Sequence, residues 1–235
     1  MTTIGTWNCN MAFREKKGLI LEHDPDILIV QECENPDTIG EWDEFSDWRW
    51  TGDNKNKGLG IFCRNGLEIE SVLSQDSDSR YALPVQITGG RTILGIWAMN
   101  DEENPRQRYI GQVYTALSDY REFLSSDSIV AGDFNWNIIW DESPDGSLCG
   151  NFVETVDILS EIGLVSSYHR LIGTKYGNED SPTFFMHKKQ DRPYHTDYLF
   201  MPEDLTYDVD NLVVGSFEDW IDASDHMPVI VEIDD

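Results

Sequence analysis

The sequence predicts an α/β protein in which two packed β-sheets are covered by helices. Apolar segments with the length and composition of strands outnumber the segments that are long enough to serve as helical crossovers. Residues 27–30 are four consecutive apolar residues, and a strand of this kind needs cover on both faces. Because 40% of the chain is hydrophobic, it can bury a substantial core. These features favour a β-sandwich with helices outside over a doubly wound parallel sheet.

The chain is predicted to begin with a strand and a short helix. Residues 4–10 alternate between two faces, as in a strand, and the end of that strand presents Asn8 and Asn10 from the same side. Residues 13–23 then predict a short helix with one apolar stripe. Two amide side chains are therefore expected together where the first strand ends.

A buried strand is predicted over residues 26–32, and it ends in Glu32. A carboxylate directly after an apolar run is costly unless it is solvated, paired or bound to metal. The next segment, residues 35–56, is rich in tryptophan and in acidic residues. It fits a short helix and an irregular sheet edge in which the rings pack, and it also fits a wall that faces a substrate.

A meander of antiparallel strands is predicted next. Its first pair of strands is separated by Asn65-Gly66 and its last pair by Gly89-Gly90, which are typical of tight turns. The four segments are residues 58–64, 67–73, 81–87 and 92–98.

The second half of the chain alternates helices with strands. A helix is predicted from Pro105 to about residue 125, with apolar residues at a spacing of three to four. It leads into a short apolar strand over residues 129–133, and a second helix is predicted over about residues 152–162. The final third is again strand-like, in residues 183–187, 195–200, 212–215 and 227–233.

The chain is strongly acidic. Lys and Arg number 17 against 44 Asp and Glu, which gives a formal net charge of −27. A field of this sign repels polyanions at low salt, so broad binding to a phosphate backbone is disfavoured unless a basic groove or bound cations offset it. Two explanations of the acidic charge are consistent with the sequence. The surface is adapted to high salt or to solubility, or some of the carboxylates bind divalent metal. In 1 M salt, screening shortens electrostatic reach to about 3 Å, and the repulsion loses force.

The sequence has no linker-like tract and no internal repeat, so one domain over residues 1–235 is predicted. The pattern of a signal peptide is missing, and no apolar span has the length of a membrane helix. The cysteines lack the spacing of metal ligands and are predicted to be reduced thiols of a cytoplasmic protein with no membrane partner. They are Cys9, Cys33, Cys63 and Cys149.

Polar residues punctuate the ends of the predicted strands. Asp133 and Asn135 are two residues apart after an apolar run, so they are expected on one side of the strand, unless they only form a turn. Carboxylate and amide oxygens suit Mg²⁺ or Mn²⁺, and an Asp can take a proton from an attacking water. A His held by a second Asp can stabilise charge on a phosphate. If gathered, the set fits metal-assisted phosphoryl transfer; it comprises Asn8, Asn10, Glu32, Asn100, Asp133, Asn135, His195, Asp197, Asp225 and His226.

A series of short motifs resembles those of the endonuclease/exonuclease/phosphatase superfamily of metal-dependent phosphoesterases. Each motif is short, so their order along nearly the whole chain carries the resemblance. The motifs are Thr-Trp-Asn-Cys-Asn at residues 6–10, Gln-Glu at 31–32, Lys-Gly-Leu-Gly-Ile at 57–61, Trp-Ala-Met-Asn at 97–100, Gly-Asp-Phe-Asn at 132–135, Tyr-His-Thr-Asp-Tyr at 194–198 and Ser-Asp-His at 224–226.

The resemblance implies a four-layered α/β sandwich, in which two mixed β-sheets pack face to face with helices outside. It also implies a site at one end of the two sheets and a Mg²⁺ or Mn²⁺ cofactor. Glu32 would be the principal metal ligand, with Asn8, Asn10 and Asp225 in or near the metal shell.

Catalytic roles also follow from the resemblance. Asp133 would orient or deprotonate the attacking water. Asn135 and Asn100 would hold the phosphate, while His226, paired with Asp197, would contact the scissile phosphate.

Trp97 and His195 are the two ambiguous positions, and both are expected to contact substrate or its phosphate. Relatives often have Tyr or His where this chain has Trp97; since Trp cannot donate an acidic proton, metal or water must assist the leaving group. His195 also fits a structural partner, because Asp197 is the matching catalytic position. Residues 42–50 and 136–140, together with Trp97, are expected to select the substrate.

The sequence therefore predicts a cytoplasmic, divalent-metal-dependent phosphodiester hydrolase that uses in-line attack of water. Its expected substrate is nucleic acid, cleaved as an endo- or exonuclease, or a nucleotide-like phosphodiester. The acidic surface favours small or single-stranded substrates. The alternatives are an inactive metal- or phosphate-binding module of the same fold, a lipid or inositol phosphoesterase, and a salt-adapted interaction domain.

Overall fold

In the computed structural model, which describes residues 1–74, 77–142 and 148–234, the strands form two six-stranded sheets and a small hairpin. The first sheet contains, in spatial order, β13 (Val209–Val214), β14 (Val229–Ile233), β1 (Thr2–Asn8), β2 (Ile27–Cys33), β4 (Lys57–Cys63) and β3 (Asp47–Asn54). The second sheet contains β5 (Ile69–Val72), β6 (Ala82–Ile87), β7 (Thr92–Trp97), β8 (Ile129–Asp133), β12 (Asp197–Pro202) and β9 (Leu164–Ser166). The hairpin pairs β10 (Phe184–Phe185) with β11 (Pro193–Tyr194).

Helices connect several of the strands. The α-helices are α1 (Phe13–Leu21), α2 (Ile110–Asp119), α3 (Phe152–Glu161), α4 (Ser167–Ile172) and α5 (Phe217–Trp220). Short 3-10 helices occupy Pro105–Gln107, Arg121–Phe123, Ile138–Trp140, Met186–Lys188 and Asp204–Asp208. Within the described residues, no helix combines the length and apolar character that crossing a membrane requires.

Each sheet is built around a parallel pair of strands. In the first sheet β1 and β2 run parallel, and α1 is in the segment that connects them. In the second sheet β7 and β8 run parallel, and their connecting segment contains α2. The other pairings in both sheets are antiparallel. Parallel strands end at the same sheet edge, so the residues that follow β1 and β2, and those that follow β7 and β8, come together in two groups.

The core is divided into three apolar layers. In β2, Ile27 and Ile29 face the second sheet, while Leu28 and Val30 face the opposite way, toward α1. A third layer fills the space between the second sheet and the helices α2 and α3. The molecule is therefore a four-layered α/β sandwich, and both this fold class and the two-sided burial of β2 are confirmed.

The predicted meander is only partly correct. Strands β5, β6 and β7 pair in sequence, but β4 lies in the first sheet, where β2 and β3 already occupy both of its edges. The Asn65-Gly66 spacer therefore carries the chain from one sheet to the other instead of closing a hairpin. Both spacer residues have positive φ, at 55° and 84°, which redirects the chain.

Two other segments differ from the predicted pattern. The predicted helix over residues 105–125 is a ten-residue α-helix, α2, flanked by the 3-10 helices Pro105–Gln107 and Arg121–Phe123. Tyr109 breaks it at the start with a φ of 50°. The tryptophan-rich segment forms the edge strand β3, and Trp42 is buried against Phe13 of α1 with ring centroids 5.8 Å apart. Packing therefore explains this part of the segment.

We propose that the chain is one domain. The apolar layer between the sheets draws side chains from strands of both sheets, among them Ile4, Ile61, Val85 and Leu199. Neither sheet would keep this face buried without the other.

Candidate active site

The ends of three strands meet at one edge of the sandwich. Asn8 ends β1 and Asp133 ends β8, and the Asn8 amide donates to Asp133 Oδ2 at 3.0 Å. This hydrogen bond joins the two sheets. Asp197 begins β12, directly opposite Asp133 in the antiparallel register. The structure thus brings Asn8 and Asp133 into contact although they are 125 positions apart along the chain.

Asp133 is fully buried at the centre of this edge. Gly132 precedes it with a φ of 148°, and a Cβ at that position would collide with the Ile96 carbonyl oxygen, so the motif requires glycine there. Asp133 Oδ1 accepts the Asn135 backbone N–H at 2.8 Å. Burial, reinforced by the charge of Asp197 and opposed by His226, raises the pKa of Asp133 to about 7.

His226 and Asp197 form a buried pair beside Asp133. The Nδ1 of His226 donates to Asp197 Oδ2 at 2.9 Å, and its Nε2 lies 3.9 Å from Asp133 Oδ2. Burial opposes protonation of this imidazole, but the charges of Asp197 and Asp133 outweigh it and raise the pKa of His226 to about 10. Because the raised pKa keeps the ring protonated, both nitrogens carry a hydrogen: Nδ1–H donates to Asp197, and Nε2–H faces Asp133.

The backbone around this pair is fixed by side chains from other elements. Thr183 Oγ1 accepts the N–H groups of both Thr196 and Asp197 at 2.9 Å. The backbone of His226 donates to Ser224 Oγ at 3.0 Å and accepts from Trp7 Nε1 at 3.0 Å. These contacts hold the imidazole and its carboxylate partner in one arrangement before any ligand binds.

Two groups of side chains offer ligand atoms for a metal. Asp133, Asp197 and His226 place one ligand atom each within 4.8 Å of one another. The second group was predicted from sequence, and in it Asn10 Nδ2 donates to Asp225 Oδ1 at 3.0 Å while Asn8 Oδ1 accepts the Asn10 N–H at 3.1 Å. Its members are Asn8, Asn10 and Asp225; Glu32, the fourth predicted ligand, follows Gln31, which pairs with Asn8 in the register of β1 and β2.

Glu32 lies at an irregularity of β2, with a φ of 62°. Its carboxylate pairs with Lys57 Nζ at 3.1 Å, and the same ammonium lies 5.1 Å from the centroid of the Trp97 ring. Trp97 itself is buried, with 3% of its surface exposed, and its ring packs 4.8 Å from that of Tyr81. Trp97 thus presents little surface for a ligand, and Lys57 covers a face of its ring.

Asn135 and Asn100 follow the ends of the parallel strands β8 and β7. Asn135 has a φ of 50°, and its amide donates to the Ala98 carbonyl at 3.3 Å. Because the strand has already ended at Asp133, the alternation predicted for residues 133 and 135 does not apply. Asn100 is exposed, three residues beyond the end of β7.

The side chain of His195 lies in a second buried polar cluster, formed by Ser166, His169, Glu179, His195 and Asn137. His195 Nδ1 donates to the Ser181 carbonyl at 2.8 Å, and its Nε2 is buried with no hydrogen-bond partner among the described residues. Burial lowers the pKa of His195 to about 4, so the ring is neutral. A cavity of about 140 Å³ beside this cluster is lined by Asn137, Ile139, Gly177, Glu179, Pro182, Pro193, Tyr194 and His195.

His169 and Glu179 hold this second cluster together. His169 donates through Nε2 to Glu179 Oε1 at 3.0 Å, and its Nδ1 lies 2.8 Å from Ser166 Oγ. Glu179 Oε1 also accepts the Gly177 N–H at 2.8 Å and the Asn137 amide at 3.2 Å. Burial opposes ionisation of Glu179, but the hydrogen bonds from His169 and from the Gly177 backbone outweigh it and lower the pKa of Glu179 to about 2.

A row of half-exposed aromatic rings leads away from His226. Phe184 packs 4.5 Å from the His226 ring and 6.4 Å from Tyr194. Tyr194 packs 5.1 Å from Trp140, which in turn meets Trp136 at 5.6 Å. The hairpin that carries Phe184 and Tyr194 also carries a group of cations, Lys188, Lys189 and Arg192.

Several residues at this edge have no functional signal in the sequence. Lys16 belongs to none of the sequence motifs, and Lys57 was noted only as the first residue of the glycine-rich motif at 57–61, with no role of its own. Phe184 and Thr183 belong to a predicted strand that forms no more than a two-residue hairpin strand. The spacing of apolar residues contains no signal that would have placed them beside His226.

A family model described as the Endonuclease/Exonuclease/phosphatase family matches residues 5–226 of this chain. That range includes the residues that the structure gathers at this edge. A comparison with curated proteins gives no match.

Solved structures of the same architecture are numerous, and their sequence identities are low. An AP endonuclease from Archaeoglobus fulgidus superposes with a TM-score of 0.73 at 17% identity, with 100% of each chain covered. The 3′ phosphatase NExo from Neisseria, solved with a product DNA hairpin, gives a TM-score of 0.70 at 19% identity, again with 100% of both chains covered. A humanized TDP2 from D. rerio gives 0.67 at 16% identity, covering 100% of this chain and 99% of that one. At these identities the likeness establishes the fold.

Proposed function

The chain belongs to the endonuclease/exonuclease/phosphatase family, and from that premise we propose that it is a divalent-metal-dependent phosphodiester hydrolase. The members of this family are hydrolytic phosphoesterases. The observation that carries the proposal is the buried hydrogen-bonded row in which Asn8 contacts Asp133, Asp133 faces His226, and His226 is paired with Asp197. Such an arrangement supplies a base, a cationic donor and an anchor for that donor.

Asp133 is the proposed base. A water that attacks phosphorus must lose a proton as its oxygen bonds to the phosphorus, and the P–O bond on the opposite side breaks. Burial raises the pKa of Asp133 to about 7, so this carboxylate is a better proton acceptor than an ordinary aspartate. The Asn8 amide and the Asn135 N–H each bond one of its oxygens and fix its orientation.

His226 is proposed to bind the phosphate. Its Nε2 lies 3.9 Å from Asp133 Oδ2, which is too far for a direct hydrogen bond, so the Nε2–H can donate to a ligand at this position. A phosphate oxygen in that position would accept from a protonated imidazole, whose charge Asp197 maintains. The negative charge that develops on the phosphoryl oxygens is thereby stabilised.

The donor set suits Mg²⁺ or Mn²⁺, because hard oxygen ligands converge at this edge. We propose Glu32, Asn8, Asn10 and Asp225 as the residues that would hold the ion, with Glu32 as the principal ligand. A bound divalent ion would neutralise phosphate charge and favour departure of the leaving oxygen. His226 is a poor ligand by comparison, because its pKa is raised to about 10 and its Nδ1 is committed to Asp197.

Asn135 and Asn100 remain the proposed amide contacts to the phosphate, because they follow the paired strand ends of β8 and β7. Trp97 cannot protonate a leaving oxygen. The ammonium of Lys57, which lies over the Trp97 ring and against Glu32, provides positive charge at the place where relatives often have Tyr or His.

A nucleic acid or nucleotide-like substrate is favoured by the surface next to His226. Bases stack on aromatic rings without strong sequence preference, and the row from Phe184 to Trp136 offers such rings. The cations of the adjoining hairpin locally offset a formal net charge of −27. The absence of a longer basic stripe in the sequence favours short or single-stranded substrates over tightly bound duplexes.

A catalytically weak or inactive module of the same fold is the second candidate, and Trp97 is the observation that favours it. Such a protein would bind a divalent ion and a phosphate but would lack assistance to the leaving group. It differs from the first candidate in turnover alone.

The test is a hydrolysis panel with Mg²⁺, with Mn²⁺ and with a chelator. The substrates are single-stranded, duplex and abasic DNA, RNA, cyclic and linear dinucleotides, and a phosphoinositide. We expect metal-dependent cleavage of a nucleotidic substrate, and a loss of about 100- to 10,000-fold in kcat for Asp133→Asn, because that change removes the proposed base. Full activity of Asp133→Asn would refute its role, whereas ion binding without turnover of any substrate would favour the inactive module.

A further inference from the structure

The segment that follows β1 has an unfavourable backbone conformation. Asn10, Met11 and Ala12 are consecutive non-glycine residues with φ values of 51°, 65° and 52°. This left-handed conformation is disfavoured for L-residues because of contact between Cβ and the backbone, and it persists only where surrounding contacts impose it. The segment carries Asn10, one of the proposed metal ligands, so the contacts that impose its shape bear on the site.

Lys16 makes the central contacts. Its ammonium donates to the carbonyl oxygens of Cys9 at 2.9 Å, of Asn10 at 3.1 Å and of Ala223 at 2.6 Å. An ammonium has three donors, and all three are used here. Two of the accepting carbonyls flank the start of the left-handed segment, and the third belongs to the loop that leads to Asp225 and His226.

The two loops joined by Lys16 are also joined on the side of the site. Asn10 Nδ2 donates to Asp225 Oδ1 at 3.0 Å, and Ser224 Oγ donates to the Asn8 carbonyl at 2.7 Å. The far end of the segment is fixed by the buried carboxylate of Glu34, which accepts the N–H groups of Phe13 and Arg14 at 2.8 and 3.1 Å. Lys16 thus binds the backbone carbonyls while the side-chain oxygens of Asn10 and Asp225 stay at the site.

We propose that Lys16 is a positioning residue that aligns Asn10 and Asp225 for a divalent cation before the cation binds. The inference rests on the proposed function, since the ligand roles of Asn10 and Asp225 belong to it. Without the three hydrogen bonds of Lys16, the left-handed segment relaxes and Asn10 separates from Asp225. Binding of the ion must then bring these two side chains back together. Part of the binding free energy is then lost to ordering the loops.

The experiment compares Lys16→Met with Lys17→Met, a matched change on the same helix. Met retains most of the apolar stem but donates no hydrogen bond. Lys17 contacts the Glu41 carbonyl and the Glu44 carboxylate, which lie outside the two loops. Affinity for Mn²⁺ is measured by calorimetry well below the melting temperature, and exchange of the Asn10 amide, which donates to Asn8 Oδ1, is measured by NMR without metal.

In Lys16→Met we expect Mn²⁺ affinity to fall by about tenfold and the Asn10 amide to exchange faster, since residues that orient metal ligands have effects of this size. Lys17→Met should match the wild type in both. Lys16→Arg keeps the charge, but its planar guanidinium does not converge on three carbonyls, so reduced Mn²⁺ affinity is expected there too. A lower melting temperature with wild-type Mn²⁺ affinity and Asn10 exchange in both Lys16 variants would overturn the proposal.

Failure of the proposed function gives a different result. A wild-type protein that neither binds Mn²⁺ nor cleaves any substrate would refute the hydrolase. The Asn10 exchange rates of the metal-free proteins would still decide whether Lys16 holds the loops.

Discussion

His226 and His195 are both buried, yet their surroundings shift their pKa values in opposite directions. Burial alone favours the neutral form of an imidazole, since the charged form loses its hydration. For His195 burial prevails and lowers the pKa to about 4. For His226 burial is outweighed by Asp197 and Asp133, and the pKa rises to about 10. Contact with carboxylates, and not burial, decides which of the two imidazole rings is charged.

The two clusters use their carboxylates differently. Around His226, Asp197 and Asp133 face opposite nitrogens of one ring, at 2.9 and 3.9 Å, so the ring is drawn into its charged form. In the second cluster, Glu179 accepts from His169, Gly177 and Asn137, and His195 instead bonds a neutral carbonyl. The first arrangement is suited to stabilising an anionic ligand, whereas the second is suited to a rigid scaffold in which the His195 ring stays neutral.

The largest effect that separates the clusters is on activity. His→Asn is a matched change at both positions, since the Asn amide takes the place of Nδ1 and Nε2 is removed. We expect His226→Asn to lower kcat/KM by about 100- to 1,000-fold on the substrate identified by the panel, because it removes a preorganised donor to the phosphate. His195→Asn should cause a much smaller loss. The measurement is steady-state kinetics with saturating Mg²⁺.

Folding of each variant is checked by its thermal transition, so that loss of structure is not taken for loss of chemistry. Equal losses in the two variants would mean that the His195 cluster takes part in the reaction. The prediction of a substrate contact by His195 would then be the better description of that residue.

The next effect concerns stability at low pH. In the folded protein His195 has a pKa of about 4, whereas in the unfolded chain its pKa is near the ordinary value of 6.5. This contribution to stability is fully present above pH 6.5 and is lost as the pH falls toward 4. With about 1.4 kcal/mol per pKa unit, it amounts to about 3 kcal/mol. The measurement is urea unfolding at several pH values.

Asp133 contributes with the opposite sign in the same range. Its folded pKa of about 7 lies above the ordinary value of 3.8, so its contribution is present at low pH and is lost as the pH rises through 7. Both the wild type and His195→Asn contain Asp133, so its contribution cancels when the unfolding free energies of the two proteins are subtracted. We expect that difference in unfolding free energy to grow with pH between 4 and 6.5, and a flat difference would contradict a buried neutral His195.

The two histidines also show which structural features can be predicted from sequence and which cannot. His195 and Asp197 are two residues apart, and simple alternation places them on one side of a strand. The strand β12 begins only at Asp197, so the chain is irregular at His195 and the two side chains enter different clusters. Apolar runs such as 27–30 predicted the buried strands and the sandwich, because burial follows from composition and period. Where strands begin and which polar groups meet depend on tertiary contacts, such as those of Thr183 and Lys16.

The site residues divide along the same line. The family resemblance implied that Asn8, Asp133, Asp197 and His226 belong to one site, whereas their positions at strand ends indicated only that such a site was possible. It did not reveal that Lys57 would pair with Glu32, since the first residue of β4 carries no mark of its partner. Local sequence patterns predict the secondary structure of a segment. Ion pairs between distant residues form only when the sheets assemble, so local patterns do not predict them.

The smallest expected effect concerns the aromatic rings that lie between the two clusters. There the ring centroids of Trp140 and Tyr194 are 5.1 Å apart. Tyr194 lines the cavity of the His195 cluster and also packs toward Phe184, which contacts His226. If a base of the substrate stacks on this row, Trp140→Ala should raise KM by about fivefold, equivalent to about 1 kcal/mol, with little change in kcat. Trp48→Ala is the matched control, because Trp48 lies on the edge strand β3 and its indole donates to Asp37.

Two substrates make the Trp140 measurement decisive. A short single-stranded oligonucleotide carries bases that can stack, whereas an abasic oligonucleotide of the same length carries the scissile group without a base. A rise in KM for the oligonucleotide with bases alone indicates that the substrate extends from His226 toward the second cluster. A rise for both substrates, or for Trp48→Ala as well, would instead make the row a packing feature, because a stacking contact acts only on a substrate that has a base.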